Sequence, residues 1–286
     1  MRLARLGPVG GEMPVVVVGD DMLSLASVTE DLDGAFWSSD GPDRVAAALG
    51  RGDLPVVDGA DRLRIGPPIA RPGMIVCIGH NYAAHAAESG VEPPEHPVVF
   101  LKAPNTVTGP HDPLVLPRGS RRTDWEVELG VVIGRPVSYL NSAADALACV
   151  AGLVLADDLS EREFQLELSG GQWSKGKCCP GFTPLGPWLV TPDEVDPQDL
   201  RLRSWVNGEP RQDSSTADQI VGVAELLWHL GRFMTLEPGD LVLTGTPEGV
   251  ALSGRFPYLA PGDVIEVVID GLGRQRQVCL AWEAEP

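Results

Sequence analysis

Two glutamates, Glu126 and Glu128, stand two residues apart in the otherwise apolar segment DWEVELGVVIG. Side chains two apart on a β-strand point to the same face of a sheet, so both carboxylates leave one side of a predicted strand over residues 126–133. A third acid, Asp158, closes the apolar run GLVLADD further along the chain. Because unpaired carboxylates are costly to bury, a positive charge is needed among them. The pattern predicts a buried cation site.

The chemistry of these three acids narrows the choice of ion. Carboxylate oxygens suit a hard divalent cation, so we expect Mg²⁺ or Mn²⁺, with Ca²⁺ as a further candidate. Three protein ligands leave coordination positions for water and substrate. An E-x-E pair by itself is more typical of the solvated face of an edge strand. The apolar residues on both sides of Glu126 and Glu128 favour the metal site.

Length, composition and charge limit the classes of protein to consider. A chain of 286 residues with 43% hydrophobic residues can bury a large core, and we expect a soluble globular protein. Its net charge of −18 argues against nucleic acid and anionic membranes as partners. We find no run apolar enough to span a membrane and no signal peptide. The five cysteines lack the spacing of a disulfide framework, which predicts a cytoplasmic protein.

Strands dominate the predicted secondary structure, so the expected fold class is mainly β with some helix (α+β). We expect strands at residues 14–18, 22–28, 74–78, 98–101, 126–133, 153–156, 202–206, 240–244 and 264–269. Helices are expected at residues 43–49, 142–150 and 218–234. Asn141 is the expected N-cap of the second helix.

Turn-forming residues divide the chain. The Pro- and Gly-rich segment IGPPIARPG predicts a boundary between a small N-terminal domain, residues 1–70, and a larger domain, residues 71–286. Two P-G-D triplets, beginning at Pro238 and Pro261, each lead into an alternating apolar strand and predict paired turns of a meander. The polar residues 208–217 predict a loop.

A second chemical cluster lies in the segment GHNYAAHAAESG, residues 79–90. If residues 83–88 are helical, His85 and Glu88 are neighbours three residues apart, and the carboxylate can orient the imidazole and raise its basicity. Such a pair can serve as a general base. A His-x-x-Glu pair is more often an ordinary surface contact. Its position after a buried strand and a Gly-x-Asn turn favours the catalytic interpretation.

Cations are scarce in this acidic chain, which makes the lysines near the acids notable. Lys175 and Lys177 stand in GGQWSKGK, and Lys102 stands in VVFLKAPNT. One of the first two is a candidate for a charge held within the site, although a solvated loop lysine is an equally good interpretation.

Polar residues downstream of the acids extend the candidate site. Arg162 and Gln165 follow Asp158 at helical spacing and are placed to reach the same pocket. The segment LTGTPEGV contributes Thr246, whose hydroxyl can bind a carboxylate or can simply belong to a turn at the end of a strand. The chain has neither G-x-x-x-x-G-K-[ST] nor G-x-S-x-G, which argues against nucleotide-binding and serine-hydrolase sites.

In this order the motifs resemble the fumarylacetoacetate hydrolase family, including its acylpyruvate hydrolase and 2-hydroxyhepta-2,4-diene-1,7-dioate isomerase members. The matching segments include IVCIGHNYAAHAAESG, VVFLKAPNTVTGP, DWEVELGVVIG, AGLVLADDLSERE, QWSKGK and LEPGDLVLTGTPEGV. The resemblance covers residues 71 to about 273 and implies a catalytic domain of rolled, stacked β-sheets. It also implies a divalent metal cofactor and a homodimer.

The resemblance implies roles for residues that match the family's motifs. Glu126, Glu128 and Asp158 would bind the metal, and His85 with Glu88 would form the catalytic dyad.

Further roles follow from the same motif positions. Lys177 would lie beside the substrate oxyanion, and Arg162 with Gln165 would hold the distal part of the substrate. Thr246 would contact the substrate carboxylate, and Lys102 is a further candidate for substrate binding.

The chain departs from the family pattern beside these residues. Asp157 stands where relatives often have Asn, so the ligand role goes to Asp158. His80 replaces the more usual Leu, Lys or Arg, and Gly176–Lys177 is followed by two cysteines where the family commonly has Ser-Phe. These changes make the reaction type easier to predict than the substrate.

The reaction that the resemblance implies is hydrolysis of the C–C bond of a 2,4-dioxo acid of the acylpyruvate type, through an enolate held by the metal. Decarboxylation of a 2-oxo diacid and isomerisation of a 2-hydroxy-dienoate use the same enolate and remain alternatives. A non-catalytic binding protein is disfavoured because every charged site residue is present, and buried charges are costly without a function.

Overall fold

Eighteen β-strands form three sheets in the computed structural model, which describes residues 1–283. The strands are β1 (Arg2–Leu6), β2 (Met13–Val18), β3 (Asp21–Ser24), β4 (Ile65–Gly66), β5 (Ile75–Gly79), β6 (Val98–Lys102), β7 (Val107–Thr108), β8 (Leu114–Val115), β9 (Thr123–Asp124), β10 (Val127–Ile133), β11 (Val150–Asp157), β12 (Ser160–Glu161), β13 (Thr183–Val190), β14 (Arg201–Val206), β15 (Glu209–Ser215), β16 (Leu241–Leu243), β17 (Val264–Ile269) and β18 (Gly273–Leu280). The predicted fold class, mainly β with some helix, is confirmed.

Seven short α-helices lie between the strands of the described residues. They are α1 (Gly34–Ser38), α2 (Gly41–Arg51), α3 (Ala83–Glu88), α4 (Ala143–Leu147), α5 (Arg162–Leu166), α6 (Ser174–Lys177) and α7 (Val223–Leu230). Single 3₁₀ turns occupy Ala60–Arg62, Pro104–Thr106, Thr216–Asp218 and Ala251–Ser253. Within residues 1–283, every helix is too short or too polar to cross a lipid bilayer.

The largest sheet places β10 at its centre. Its main order is β3-β2-β1-β13-β11-β10-β16-β5-β6, and β10 is buried along its whole length. β10 pairs antiparallel with β11 on one side, where Val127 lies opposite Asp157, and with β16 on the other. A strand that is covered on both faces requires apolar residues at nearly every position, which explains the Val, Leu and Ile of this segment.

A second sheet, of order β15-β14-β17-β18-β8, packs against the first. In β17 the residues Ile265, Val267 and Ile269 are buried and alternate with more exposed neighbours, as expected for a strand with one face on the core. The two sheets are also joined by a polar contact. The buried amide nitrogen of Gln275 donates to the carbonyl oxygens of Leu155 (2.8 Å), Pro184 (3.2 Å) and Gly186 (3.2 Å).

The N-terminal strands continue the large sheet. β1 pairs antiparallel with β13, so that Leu3 lies opposite Leu189, and β2, β3 and β4 extend the sheet from β1. The division of the chain near residue 70 stays a prediction, but the strands that precede it share a sheet with those that follow.

Two helix predictions need correction. The helix expected over residues 218–234 is limited to α7, Val223–Leu230, because Gly222 occupies its N-cap and Ile220 precedes it with 40% of its surface exposed. In α4 the N-cap is Ser142, not Asn141. Ser142 and Asp145 form a capping box, in which each side chain binds the backbone N–H of the other.

Two strand and turn predictions were also wrong. The polar residues expected to form a loop contain β15, which pairs with β14 at the edge of the second sheet, where every side chain of the strand except Gln212 is exposed or half-buried. The P-G-D triplets do not form paired turns of one meander. Pro238 precedes β16 in the large sheet, whereas Pro261 precedes β17 in the second sheet.

Replacing Gln275 with Ala tests the polar contact between the sheets. The change leaves three carbonyl oxygens short of a donor, and unsatisfied buried acceptors are destabilising. We expect the free energy of unfolding to fall by at least about 2 kcal/mol, measured by urea denaturation followed by circular dichroism. The exposed Gln172→Ala is the control and should change it by less than about 0.5 kcal/mol. Equal stability of the two variants would contradict this role.

Candidate active site

A cavity of about 290 Å³ brings together most of the residues predicted to form the site. Its wall contains His85, Glu88, Glu126, Glu128, Arg162, Gln165, Lys177 and Thr246. Apolar side chains, including Phe100, Trp173 and Leu252, complete it. Polar groups that converge in a largely apolar cavity are typical of a small-molecule site.

Two carboxylates of the cavity wall, those of Glu126 and Glu128, lie beside a third, that of the fully buried Asp158. Oxygens of Glu126, Glu128 and Asp158 lie within 4.8 Å of one another, and the three residues are buried. Glu128 belongs to β10 and Glu126 precedes it, whereas Asp158 follows β11, the antiparallel partner of β10. The backbone N–H of Asp158 donates to the carbonyl oxygen of Glu126 at 2.9 Å. The antiparallel register therefore brings together acids that are distant in sequence.

Lysine ammonium groups neutralise part of this negative charge. Lys177 Nζ lies 2.5 Å from Glu126 Oε2 and 2.7 Å from Asp158 Oδ2. Burial by itself lowers the pKa of an ammonium, but the charges of Asp158 and Glu126 outweigh it and raise the pKa of Lys177 above its usual value. Lys102 Nζ, which is fully buried, lies 2.5 Å from Asp158 Oδ1.

A buried arginine completes the surroundings of Glu126. Arg162 donates from Nη2 to Glu126 Oε1 at 2.6 Å and from Nε to Asp124 Oδ2 at 2.8 Å. Burial would raise the pKa of Glu126, but Lys177 and Arg162 lower it well below its usual value. Glu126 is therefore held as a carboxylate.

Glu128 has no comparable cation. Among the described residues, its hydrogen-bond partner is the backbone N–H of Gly245, 2.8 Å from Oε2. Burial, followed by the charges of Asp158 and Glu126, raises the pKa of Glu128 well above its usual value. A doubly charged ion among these oxygens would favour the ionised form of Glu128. The donor set therefore fits a hard divalent cation.

Asp157 is the last residue of β11 and lies outside the cluster of three acids. Its Oδ1 accepts from the backbone N–H of Glu126 at 2.8 Å, and its other oxygen is buried without a partner in the described chain. Burial raises the pKa of Asp157 to about 7. This side chain fixes the backbone at Glu126 and does not join the cluster of three acids.

His85 and Glu88 form the expected dyad on α3. His85 Nδ1 lies 3.2 Å from Glu88 Oε1, which leaves Nε2 for the cavity that His85 lines. The Gly249 N–H donates to Glu88 Oε1 at 2.9 Å, and Arg255 Nη2 donates to Oε2 at 2.6 Å. Burial raises the pKa of Glu88, but the bonds from His85, Gly249 and Arg255 lower it overall. Glu88 is therefore ionised and oriented.

The helix that carries this dyad is anchored by Asn81. The Asn81 side-chain amide donates to the carbonyl oxygens of Thr244 (2.8 Å) and Val221 (3.0 Å), and its Oδ1 accepts from the Val221 N–H (2.9 Å). These bonds join the segment before α3 to the end of β16 and to the segment before α7. They hold α3 against the mouth of the cavity.

The remaining candidate residues, Lys175, Lys102 and Thr246, differ in their position relative to the cavity. Lys175 is exposed at the end of its side chain and donates to the Leu168 carbonyl oxygen, so Lys177 is the lysine of its segment that reaches the acids. Lys102 lies behind Asp158 and does not line the cavity. Thr246 lines the cavity, but its hydroxyl donates to the Val127 carbonyl oxygen at 2.9 Å.

Two buried residues with supporting roles were missing from the sequence predictions. Asp124 binds Arg162 and also accepts from the backbone N–H groups of Ala251 and Leu252 at 2.8 and 2.9 Å. Gln212, within the segment expected to be a loop, donates to Thr246 Oγ1 at 2.8 Å. Asp124 is the first residue of the DWEVE motif, so its position beside the acids could have been predicted from the sequence. Nothing in the sequence around Gln212 indicates that its side chain is buried.

Comparison with known proteins agrees with this geometry. Residues 74–279 match the family model described as fumarylacetoacetate (FAA) hydrolase C-terminal. A 2,4-didehydro-3-deoxy-L-rhamnonate hydrolase of Sphingomonas sp. (strain SKA58) is 44% identical, over 99% of this chain and 97% of the relative.

Solved structures show the same fold. Maleylpyruvate hydrolase from Sphingobium sp. SYK-6, in complex with manganese(II) and pyruvate, is 28% identical with a TM-score of 0.81. The 5-carboxymethyl-2-hydroxymuconate delta-isomerase of Mycobacterium smegmatis is 32% identical with a TM-score of 0.78. Each match covers 99% of this chain and 100% of the other. The chain is therefore an enzyme that belongs to the fumarylacetoacetate (FAA) hydrolase family.

Proposed function

We propose that this protein is a divalent-metal-dependent hydrolase that cleaves the C3–C4 bond of a 2,4-dioxo acid. The observation that carries the proposal is the placement of an oriented His85–Glu88 dyad in the same cavity as Glu126 and Glu128. The acids can hold a cation for the oxo-acid end of the substrate, and the dyad can activate water beside it.

Glu126, Glu128 and Asp158 would hold the metal, which we propose is Mg²⁺ or Mn²⁺. When bound, the ion would supply a Lewis acid that polarises the oxo groups of the substrate. The pKa of Glu128 supports this assignment, because burial and then the charges of Asp158 and Glu126 raise it, and a cation among the three carboxylates would offset both effects.

The protein's own residues account for the movement of protons. His85 Nε2 accepts a proton from water, and the hydroxide adds to the C4 carbonyl carbon while Glu88 stabilises the resulting imidazolium. The C3–C4 bond then breaks, releasing a carboxylic acid and the enolate of a 2-oxo acid. Lys177 is placed to stabilise the developing negative charge. The proton that His85 took from water is returned to C3, which gives pyruvate as the second product and restores the neutral imidazole.

Relatives support this reaction type. The Sphingomonas hydrolase acts, by its name, on a sugar acid oxidised at carbons 2 and 4, and the Sphingobium hydrolase binds manganese and pyruvate. The likeness to a delta-isomerase supports isomerisation as the second candidate. Incubating the purified protein and Mg²⁺ with an acylpyruvate and with a hydroxymuconate-type acid separates the two, since hydrolysis alone releases pyruvate.

Replacing His85 with Ala removes the proposed general base. We expect kcat for acylpyruvate hydrolysis to fall about 10²- to 10⁴-fold, measured by pyruvate release, with Mn²⁺ affinity nearly unchanged by calorimetry. The control is His96→Ala, since His96 lies outside the cavity and stacks on His229. Near-full turnover in His85→Ala would remove this residue from the mechanism.

Replacing Glu128 with Gln tests the metal site. Without metal, we expect the variant to be at least as stable as the natural protein, because it removes a buried carboxylate that has no cationic partner. Mn²⁺ should raise the Tm of the natural protein but not of the variant, measured by calorimetry. The exposed Glu225→Gln should respond like the natural protein. A variant that Mn²⁺ stabilises fully would exclude Glu128 as a ligand.

Arg255 is a positioning residue, since it touches Glu88 and lies outside the cavity wall. Removing its charge should raise the pKa of Glu88, which lies below its usual value in the natural protein. The acidic limb of the kcat/KM profile of Arg255→Ala should therefore move towards higher pH, and Arg255→Lys should restore it in part.

Arg211→Ala is the matched control for that profile. The guanidinium groups of Arg255 and Arg211 both stack on Phe256, at 5.5 and 4.7 Å from the ring centroid, but Arg211 does not contact Glu88. Its variant should keep the acidic limb of the natural protein. The same limb in Arg255→Ala would show that Arg255 does not act through Glu88.

A further inference from the structure

The backbone of Val127, the residue between the two glutamates of the proposed metal site, continues past the end of its neighbouring strand. β10 pairs antiparallel with β16, so that Gly130 lies opposite Leu243. The same register would place Thr246 opposite Val127, but β16 ends at Leu243. Since buried backbone groups require partners, side chains take over the hydrogen bonds of Val127 on this edge.

Three hydrogen bonds close a ring at this position. The Val127 N–H donates to Gln212 Oε1 at 3.1 Å, and Gln212 Nε2 donates to Thr246 Oγ1 at 2.8 Å. Thr246 Oγ1 in turn donates to the Val127 carbonyl oxygen at 2.9 Å. The three residues are buried, and hydrogen bonds that are linked in a buried network strengthen one another. We call these three residues the Val127 ring.

The second sheet holds the amide of Gln212 in one orientation. Ser204 Oγ, on β14, donates to Gln212 Oε1 at 2.9 Å and accepts from the Gln212 backbone N–H at 3.2 Å. Gln212 Nε2 makes a further bond to the Pro247 carbonyl oxygen at 2.9 Å. The amide oxygen therefore accepts two bonds and the amide nitrogen donates two, which is the full capacity of a glutamine side chain.

The segment that Gln212 binds, residues 244–249, serves both halves of the candidate site. The Gly245 N–H donates to Glu128 at 2.8 Å, and the Gly249 N–H donates to Glu88 at 2.9 Å. The two residues of the segment that Gln212 contacts lie between these donors. The positions of both N–H groups therefore depend on the same side chain.

β15 also contacts the far end of this segment. Gly249 adopts φ +104°, and a Cβ there would overlap the carbonyl oxygen of Arg211, the neighbour of Gln212. Trp125 Nε1 donates to the Gly249 carbonyl oxygen at 3.2 Å. The backbone of residues 244–249 is therefore packed directly against β15, so a shift of one would displace the other.

We propose that Gln212 is a positioning residue that couples the metal site to the His85–Glu88 dyad. Through the Val127 ring it fixes the backbone between Glu126 and Glu128, and through residues 244–249 it fixes two N–H donors. It acts through other residues, since it lies outside the cavity wall. The inference rests on the proposed function, in which the acids bind a metal and the dyad activates water. Removing a partner that orients metal ligands typically changes metal affinity or activity about 10- to 100-fold.

Mn²⁺ affinity in the absence of substrate is the first test. Gln212→Met keeps the length of the side chain but removes its hydrogen bonds, and we expect the Kd for Mn²⁺, measured by calorimetry, to rise about 10-fold. The matched control is Gln275→Met, since Gln275 is also a buried glutamine of the second sheet, but its amide binds carbonyl oxygens of β11 and β13. Its variant should be less stable to urea and yet keep the Kd within about twofold.

The acidic limb of the kcat/KM profile is a second readout, which a loss of stability alone does not move. The bond from Gly249 is one of those that lower the pKa of Glu88. Displacing this N–H should raise that pKa, so the limb of Gln212→Met should move towards higher pH. Gln275→Met should keep the limb of the natural protein.

Thr246→Val breaks the same ring from another residue and carries the test if Gln212→Met does not fold. It removes the hydroxyl and changes the volume little, and we expect the Kd for Mn²⁺ to rise about 10-fold. Because the bonds of the ring depend on one another, the double variant should bind Mn²⁺ about as the weaker single variant does. Losses that multiply would show that the two residues act independently.

The outcomes separate this inference from the proposed function. Unchanged Mn²⁺ affinity in the folded variants, equal losses in Gln212→Met and Gln275→Met, an unmoved acidic limb or multiplying losses would overturn the coupling through Gln212. The hydrolase would remain intact, because the natural protein would still bind Mn²⁺ and cleave its substrate. Failure of the natural protein to bind Mn²⁺, or to cleave any 2,4-dioxo acid, would overturn both proposals.

Discussion

The charge balance around Glu128 is the constraint on which the rest of the site depends. Lys177 and Lys102 neutralise Asp158, and Lys177 also neutralises Glu126, but within residues 1–283 Glu128 receives only the N–H of Gly245. A buried carboxylate in this position is unfavourable unless a cation joins it. The buried carboxylate of Glu128 therefore destabilises the folded protein unless a cation binds beside it. Such a strained ionisable group is characteristic of a functional centre.

The scaffold holds the acids and the base in different ways. Glu128 projects from β10, which is buried on both faces, so its position is set by the pairing of strands and has little freedom. His85 projects from the short helix α3, which depends on Asn81 and on the contacts of Glu88 with Arg255. Strand pairing therefore fixes Glu128, a proposed metal ligand, whereas the position of His85, the proposed base, depends on a small number of polar contacts.

Local patterns in the sequence were informative where one strand or one turn carried the signal. The alternation of β17 and the apolar run of β10 required no knowledge of the rest of the chain, because a side chain's face follows from its position in the strand. The same reasoning failed for β15, an edge strand whose polar side chains, apart from the buried Gln212, are exposed or half-buried and so resemble those of a loop. It also failed at α7, where the apolar pattern continued beyond the residues that are helical.

The sequence by itself determined which chemical groups are present: two glutamates on one face of a strand, an aspartate at the end of another, and a His–Glu pair at helical spacing. Only the tertiary structure decided that Lys177 and not Lys175 reaches the acids, and that Lys102 lies behind Asp158. The physical reason is that spacing along the chain specifies which side chains share a face, whereas contacts between distant residues depend on the register in which strands pair.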